Sequence, residues 1–173
     1  MRLVLAALAI ALPASVFAAG DETAPPKKPA VACTGAQVYD EKTKTCVDPK
    51  DSRLDVDQLY QTVRQLSYDG RYADAQIVLE AMPEEDDRRL TYMGFTHRKL
   101  GNTDLSQAYY TRAIAINPGN ILARSYMAQG YVEQGQIAMA IAELRSIREQ
   151  GGTGTWAETS LRNAIATGRT YNY

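Results

Sequence analysis

Apolar residues recur at helical spacing along the chain from Asp55 onward. They stand three or four positions apart with polar residues between them, which is typical of amphipathic helices. Glycines interrupt the pattern at Gly70, Gly101 and Gly135, where turns between helices are expected. The pattern therefore predicts an all-α fold of helices joined by short turns.

Residues of similar size recur 34 positions apart in the middle of this segment. Gly94 aligns with Ala128, and Gly101 aligns with Gly135. The same offset joins His97 to Tyr131, Ser106 to Ala140, Tyr110 to Leu144 and Ala113 to Ile147. A weaker copy surrounds Gly70. Small residues at such positions let antiparallel helices approach closely, and several units must stack because one unit cannot bury its apolar face alone.

Two stretches of this repeat share a finer pattern. "LTYMGFTH" and "RSYMAQGY" each place a large residue, a large-small pair and then a ring before the turn glycine, and Pro118 ends the middle unit. In these features the chain resembles the tetratricopeptide repeat family. The resemblance implies an α-solenoid of about three helix pairs, with repeats at about 55–86, 87–120 and 121–152.

The stretch "TGTWAETSLRNAIATG" follows the last repeat. Thr155 and Glu158 have the spacing of a capping box, and Gly168 provides a stop signal. We expect a capping helix over 155–167 that completes a repeat domain of 55–168. The loop "CTGAQVYDEKTKTC" at 33–46 precedes the repeats, which contain "YMGFTHRKLG". In this combination with a closing helix, the chain is similar to a group of short exported proteobacterial tetratricopeptide proteins that has no assigned activity.

The first residues, "MRLVLAALAIALPASVFAAG", are typical of a secretory signal peptide. Arg2 precedes an apolar run, Pro13 ends it, and small residues lead to cleavage after Ala18 or one residue later. The apolar run is too short for a transmembrane anchor. A signal peptide over 1–18 therefore predicts a periplasmic or secreted protein.

Export changes the interpretation of the two cysteines, because an oxidising compartment favours a disulfide. Cys33 and Cys46 would close a short polar loop, a crosslink worth about 3 kcal/mol. We expect an extended tether at 19–32, a disulfide-closed element at 33–50 and a short tail at 169–173. The closed element is either a structural staple or a small ligand-binding lobe.

In the tetratricopeptide family the first helix of each repeat lines a concave groove. Residues three or four positions apart share one face of a helix. The resulting candidates are Tyr60, Arg64, Tyr68, Thr91, Phe95, Arg98, Lys99, Ser125, Gln129 and Glu133. Aromatic and arginine side chains commonly carry protein interfaces, so this face predicts a groove for a peptide with an acidic portion. An ordinary solvated helix face is the alternative.

Composition and motifs narrow the function further. The formal charge of -1 argues against general nucleic-acid binding. His97, the single histidine, is expected to pack between helices, and no second ionisable group accompanies it for catalysis. Two cysteines alone make no zinc site, and no phosphate loop or serine elbow occurs. We therefore expect no enzyme activity, cofactor or metal.

The run "PEEDDRR" at 83–89 is interpreted as a solvated link whose charges pair with one another, or as a weak site for a divalent cation.

Two functional hypotheses follow. The first is a non-catalytic periplasmic adaptor that binds an envelope protein or peptide through the concave groove. The second is an envelope-associated binder of peptidoglycan or polysaccharide that uses the cysteine loop, with the repeats mediating self-association.

Overall fold

The computed structural model describes Pro26 and residues 31–170. The expected signal peptide, most of the tether and the last three residues of the tail lie outside this part. The described part contains seven helices and one two-stranded sheet, which confirms the helical class. Its strands are β1 (Val38–Asp40) and β2 (Thr45–Val47), and its helices are α1 (Val56–Tyr68), α2 (Tyr72–Leu79), α3 (Asp87–Lys99), α4 (Thr103–Ile116), α5 (Ile121–Glu133), α6 (Ile137–Glu149) and α7 (Trp156–Thr167).

Side-chain caps begin four of these helices. Asp55 forms a reciprocal capping box with Gln58 at the start of α1. At the start of α7, Thr155 Oγ1 accepts a hydrogen bond from the backbone N–H of Glu158, as predicted. The other half of that box is missing, because the Glu158 carboxylate accepts from Arg148 and from the backbone N–H of Gly154. The caps of α3 and α5 are Asp86 and Asn120.

Turns of one kind end α1, α3 and α5, and the same turn at Gly151 ends α6. Gly70, Gly101 and Gly135 have φ angles of 75°, 84° and 73°, a left-handed conformation that favours glycine. In each turn the glycine N–H bonds back three residues and the next N–H bonds back five residues. This is the Schellman motif, and it joins each of these helices to the following helix in the same way.

The helices pack in a repeating arrangement. Each of α1, α3 and α5 packs against the helix that follows it, and α1–α3, α3–α5 and α5–α7 are also in contact. Close approach of α3 and α4 depends on Gly94, because a Cβ atom there would lie 2.7 Å from the ring of Tyr110. The small residue expected at this position is therefore required by packing.

The cysteine element is a hairpin attached to the helices. Cys33 and Cys46 form the predicted disulfide, and β1 and β2 pair antiparallel with Tyr39 opposite Cys46. Val38 is 1% exposed and belongs to the main apolar core, and β1 packs against α1. Asp40 is buried in the turn, where hydrogen bonds from Thr43 Oγ1 and the Lys42 N–H lower its pKa. The hairpin and the helices thus share one core.

Candidate functional site

Nine of the ten groove candidates occupy three equivalent positions in the helix pairs. They stand ten, six and two residues before the turn glycine at the end of α1, α3 or α5. Ten residues before the glycine stand Tyr60, Thr91 and Ser125. Six residues before it stand Arg64, Phe95 and Gln129, and two residues before it stand Tyr68, Lys99 and Glu133. The tenth candidate, Arg98, lies next to Lys99.

The structure separates these positions by burial. All six side chains at ten and six residues before the glycine are buried, and so is Arg98, whereas the sequence analysis expected them at an open surface. Part of the reason is packing across helices: Ser125 Oγ donates to the backbone carbonyl of Ala157 on α7. Tyr68 and Glu133 are exposed and Lys99 is half-buried. We call Tyr68, Lys99 and Glu133 the rim row.

About two turns before the rim row on the same helices, four rings form a continuous line across α1, α3, α5 and α7. The centroid distances are 5.7 Å for Tyr60–Tyr92, 6.1 Å for Tyr92–Tyr126 and 6.2 Å for Tyr126–Trp156. All three contacts are edge-to-face, the arrangement that aromatic pairs prefer. These four residues, the ring row, position the helices that carry the rim row.

The ring row was not predicted from the sequence as a set of contacts. Tyr92 and Tyr126 are 34 residues apart, so the repeat offset itself was the available signal. Phe95 packs at 4.7 Å from Tyr126 and strengthens the same line. The guanidinium of Arg88 lies 4.9 Å from the Tyr60 ring centroid and places positive charge at one end of it.

Arg98 is the central charge of this region. Its Nη1 donates to Glu133 Oε1 at 2.9 Å, and its side chain is 3% exposed while that of Glu133 is 38% exposed. The Nε and Nη2 atoms of Arg98 are buried without a hydrogen-bond partner among the described residues. Burial raises the pKa of nearby Tyr110 to about 12, so its hydroxyl stays protonated beside this cation.

Lys99 gives the rim row a cation whose charge is easily lost. Burial is the main cause that lowers its pKa to about 8, and the neighbouring charge of Arg98 adds to this. Its Nζ atom lies 5.6 Å from the Phe95 ring centroid. An anion placed on the rim row would favour the charged form of Lys99 and bind to it.

His97 has a packing contact in the structure. Its ring stacks on Tyr109 at 5.4 Å, and its Nδ1 lies 3.4 Å from the side-chain nitrogen of Asn102. Burial lowers the pKa of His97. The ring is part of the contact between α3 and α4.

The acidic run at 83–89 is paired with basic side chains. Arg112 contacts both Glu84 and Glu85, and Arg88 forms ion pairs with Asp86 and with Asp57 on α1. Within residues 31–170 and Pro26, no group of histidine, cysteine, aspartate and glutamate is arranged to hold a metal ion.

A cavity of about 380 Å³ lies between the cysteine hairpin and α1. Tyr39 and Glu41 line it from the hairpin, Gln61 and Gln65 line it from α1, and Pro26 lies at its edge. We call it the hairpin cavity. The sequence analysis allowed a ligand-binding lobe at the cysteine loop, but it did not identify α1 as the opposite wall.

Comparison of the chain with protein-family models, with curated proteins and with solved structures found no match. In the part of the chain described above, no helix is long and apolar enough to cross a membrane.

Proposed function

We propose that the chain is a non-catalytic adaptor of the bacterial envelope, a solenoid of three tetratricopeptide helix pairs that binds a protein or peptide partner. The 34-residue offset and the three identical turns support the repeat architecture. The disulfide supports export through the expected signal peptide, because such bonds persist in oxidising compartments. The partner is an envelope protein with an acidic segment, and no nucleic acid is involved.

The rim row carries this proposal. An aromatic side chain, a cation and a carboxylate stand at equivalent positions on three neighbouring helices, and the Tyr68 side chain is exposed by 49%. The ring row fixes the spacing of these helices, so their backbones need little rearrangement when a partner binds. Tyr68 would provide the anchor and Lys99 the contact to a carboxylate of the partner.

The test is affinity capture with the mature, oxidised protein from an envelope extract of the cells that produce it. The bait variant carries Tyr68→Ala and Lys99→Glu. The matched control carries Leu105→Ala and Arg145→Glu at exposed positions on α4 and α6, which also truncate an exposed apolar side chain and make the same change of charge. Phe95 and Arg98 are unsuitable because both are buried and their replacement would disturb packing.

We expect the unmodified bait and the control bait to recover a protein that the rim variant fails to recover. A photo-crosslinking amino acid at position 68 should join this protein to the bait. Equal recovery by all three baits would contradict a role for the rim row.

The hairpin cavity favours a second candidate function. The chain would then bind peptidoglycan or polysaccharide through the cysteine hairpin, and the repeats would mediate self-association. Sedimentation with insoluble peptidoglycan tests this hypothesis. The second hypothesis expects Tyr39→Ala to abolish sedimentation and the rim variant to leave it unchanged, since Tyr39 lines the cavity and the rim row does not.

A further inference from the structure

The hairpin side of the cavity is held in place by covalent and ionic contacts, while Pro26, Val31 and Ala32 form another part of its lining. The disulfide closes the hairpin, and Val38 anchors it in the apolar core. Arg71 Nη2 donates to the Gly35 carbonyl at 2.6 Å and to Asp74 at 2.7 Å, which ties the hairpin to the start of α2. A pocket with fixed walls needs little reorganisation to bind a ligand.

The charged lining of this cavity is mainly acidic. Four carboxylates line it, but that of Asp57 is paired with Arg88 and that of Asp55 accepts the capping hydrogen bond from Gln58, so the negative charge rests mainly on Glu41 and Asp69. The single guanidinium of the lining is that of Arg71. That guanidinium already bonds to Asp74 and to the Gly35 carbonyl, so it is poorly placed to attract an anion. The electrostatic potential of the cavity therefore favours a cation.

One buried acceptor of the cavity lacks a donor. Gln65 Oε1 is buried without a hydrogen-bond partner among the described residues, while its Nε2 donates to Asp69 at 3.0 Å. The Glu41 carboxylate is exposed to solvent. A buried acceptor without a donor is costly, so a ligand that brings N–H groups would be stabilised here.

The remaining lining is apolar or aromatic. Tyr39, Leu66 and the disulfide at Cys33 provide surface for an aliphatic chain. Lysine and arginine side chains combine an aliphatic chain with a charged end. The aliphatic chain can be buried while the charged end contacts carboxylates. The volume of about 380 Å³ is near the lower end for ligand pockets, which suits a short segment and not a folded domain.

We propose that the hairpin cavity is a second binding site, independent of the rim row, that takes a short extended peptide segment carrying lysine or arginine. The basic side chain would meet Glu41, Asp69 and Gln65 Oε1, and its aliphatic part would lie against Tyr39 and Leu66. The hairpin cavity presents carboxylates and the rim row presents a lysine, so the two surfaces would select segments of opposite charge.

The test uses fluorescence anisotropy with the mature, oxidised protein at low salt. The probe is a fluorescein-labelled ten-residue peptide of lysine, proline, valine and glycine, and the comparison peptide has glutamate in place of lysine. The site variant carries Glu41→Gln and Asp69→Asn, which keep side-chain size. The matched control carries Glu84→Gln and Glu85→Gln, which change the net charge equally in the link between α2 and α3.

We expect the lysine peptide to bind at least about tenfold more tightly than the glutamate peptide, and the site variant to lose about tenfold in affinity, equal to about 1.4 kcal/mol. The control variant should bind as the unmodified protein does. Amide chemical shifts should change at the hairpin and along α1. Absence of binding, equal binding of both peptides, or equal weakening by both variants would overturn the proposal. Because no rim residue is altered, failure here leaves the adaptor proposal untouched.

Discussion

Arg98 on α3 and Glu133 on α5 form an ion pair in which the cation is buried and the carboxylate reaches solvent. The Nη1–Oε1 distance is 2.9 Å, and the two residues are 35 positions apart in sequence. The pair joins two neighbouring helix pairs, and Thr170 Oγ1, beyond α7, donates to the same carboxylate oxygen at 2.6 Å. One exposed carboxylate thus balances the charge of a buried guanidinium.

Removal of this carboxylate should destabilise the fold. Glu133→Ala leaves the Arg98 charge buried and uncompensated, and we expect the free energy of unfolding to fall by about 2 kcal/mol. Breaking a fully buried pair costs about 3–5 kcal/mol, and the loss is smaller here because Glu133 is partly exposed. Urea denaturation measures the loss. Adding Arg98→Met should recover part of it. Strictly additive destabilisation in the double variant would contradict the coupling of the two residues.

Because α3 and α4 approach closely, one methyl group added at Gly94 should strongly reduce the stability of the fold. In Gly94→Ala the new Cβ would lie 2.7 Å from Cδ1 and Cε1 of Tyr110, so we expect a loss of about 1–3 kcal/mol. Gly130→Ala is the matched control, because its Cβ would lie 3.2 Å from Gln107 Nε2 and 3.3 Å from Arg98 Cδ, contacts that shifts of a few tenths of an ångström relieve. Thermal denaturation should show a lower Tm for Gly94→Ala than for Gly130→Ala.

The disulfide should stabilise the hairpin more than the helices. Replacing Cys33 and Cys46 by serine removes a crosslink between residues 13 apart, worth about 3 kcal/mol. We expect faster amide hydrogen exchange in β1 and β2 with the far-ultraviolet circular dichroism of the helices retained. Unchanged exchange in the hairpin would show that Val38 and its core contacts hold it without the crosslink.

Lys99 predicts a dependence of stability on pH. Its pKa is about 8 in the folded chain against 10.5 ordinarily, so between these values the unfolded chain binds more protons. The free energy of unfolding should therefore rise as the pH increases from 8 to 10. The slope should be less than about 1.4 kcal/mol per pH unit, the limit for one proton, because Lys99 is only partly buried. Above pH 10, Tyr110 acts in the opposite direction, because its pKa is raised to about 12.

Denaturation at several pH values checks this expectation, and Lys99→Met should flatten the rise. If the rim row binds an acidic segment, affinity should fall as pH passes through 8, since the ammonium becomes neutral. An affinity that stays constant from pH 7 to pH 9 would show that Lys99 does not contact the anion.

Local signals in the sequence predicted the helical class, the seven helices and the turns at Gly70, Gly101 and Gly135. Helix periodicity, caps and left-handed glycines act within a few residues, so they are visible in the sequence. The disulfide was also predictable, from an expected compartment and a pair of cysteines. The repeat family remains a proposal, supported by the residue offset and by the packing of the helices.

Only the tertiary structure decided which faces of the helices reach solvent. Residues four positions apart share a helix face, and the sequence therefore placed Phe95 and Lys99 in one groove, yet the first is buried and the second belongs to the rim row. The ring row and the hairpin cavity likewise depend on residues far apart in sequence. Burial and cavities arise from distances between elements, and helical periodicity carries no information on those distances.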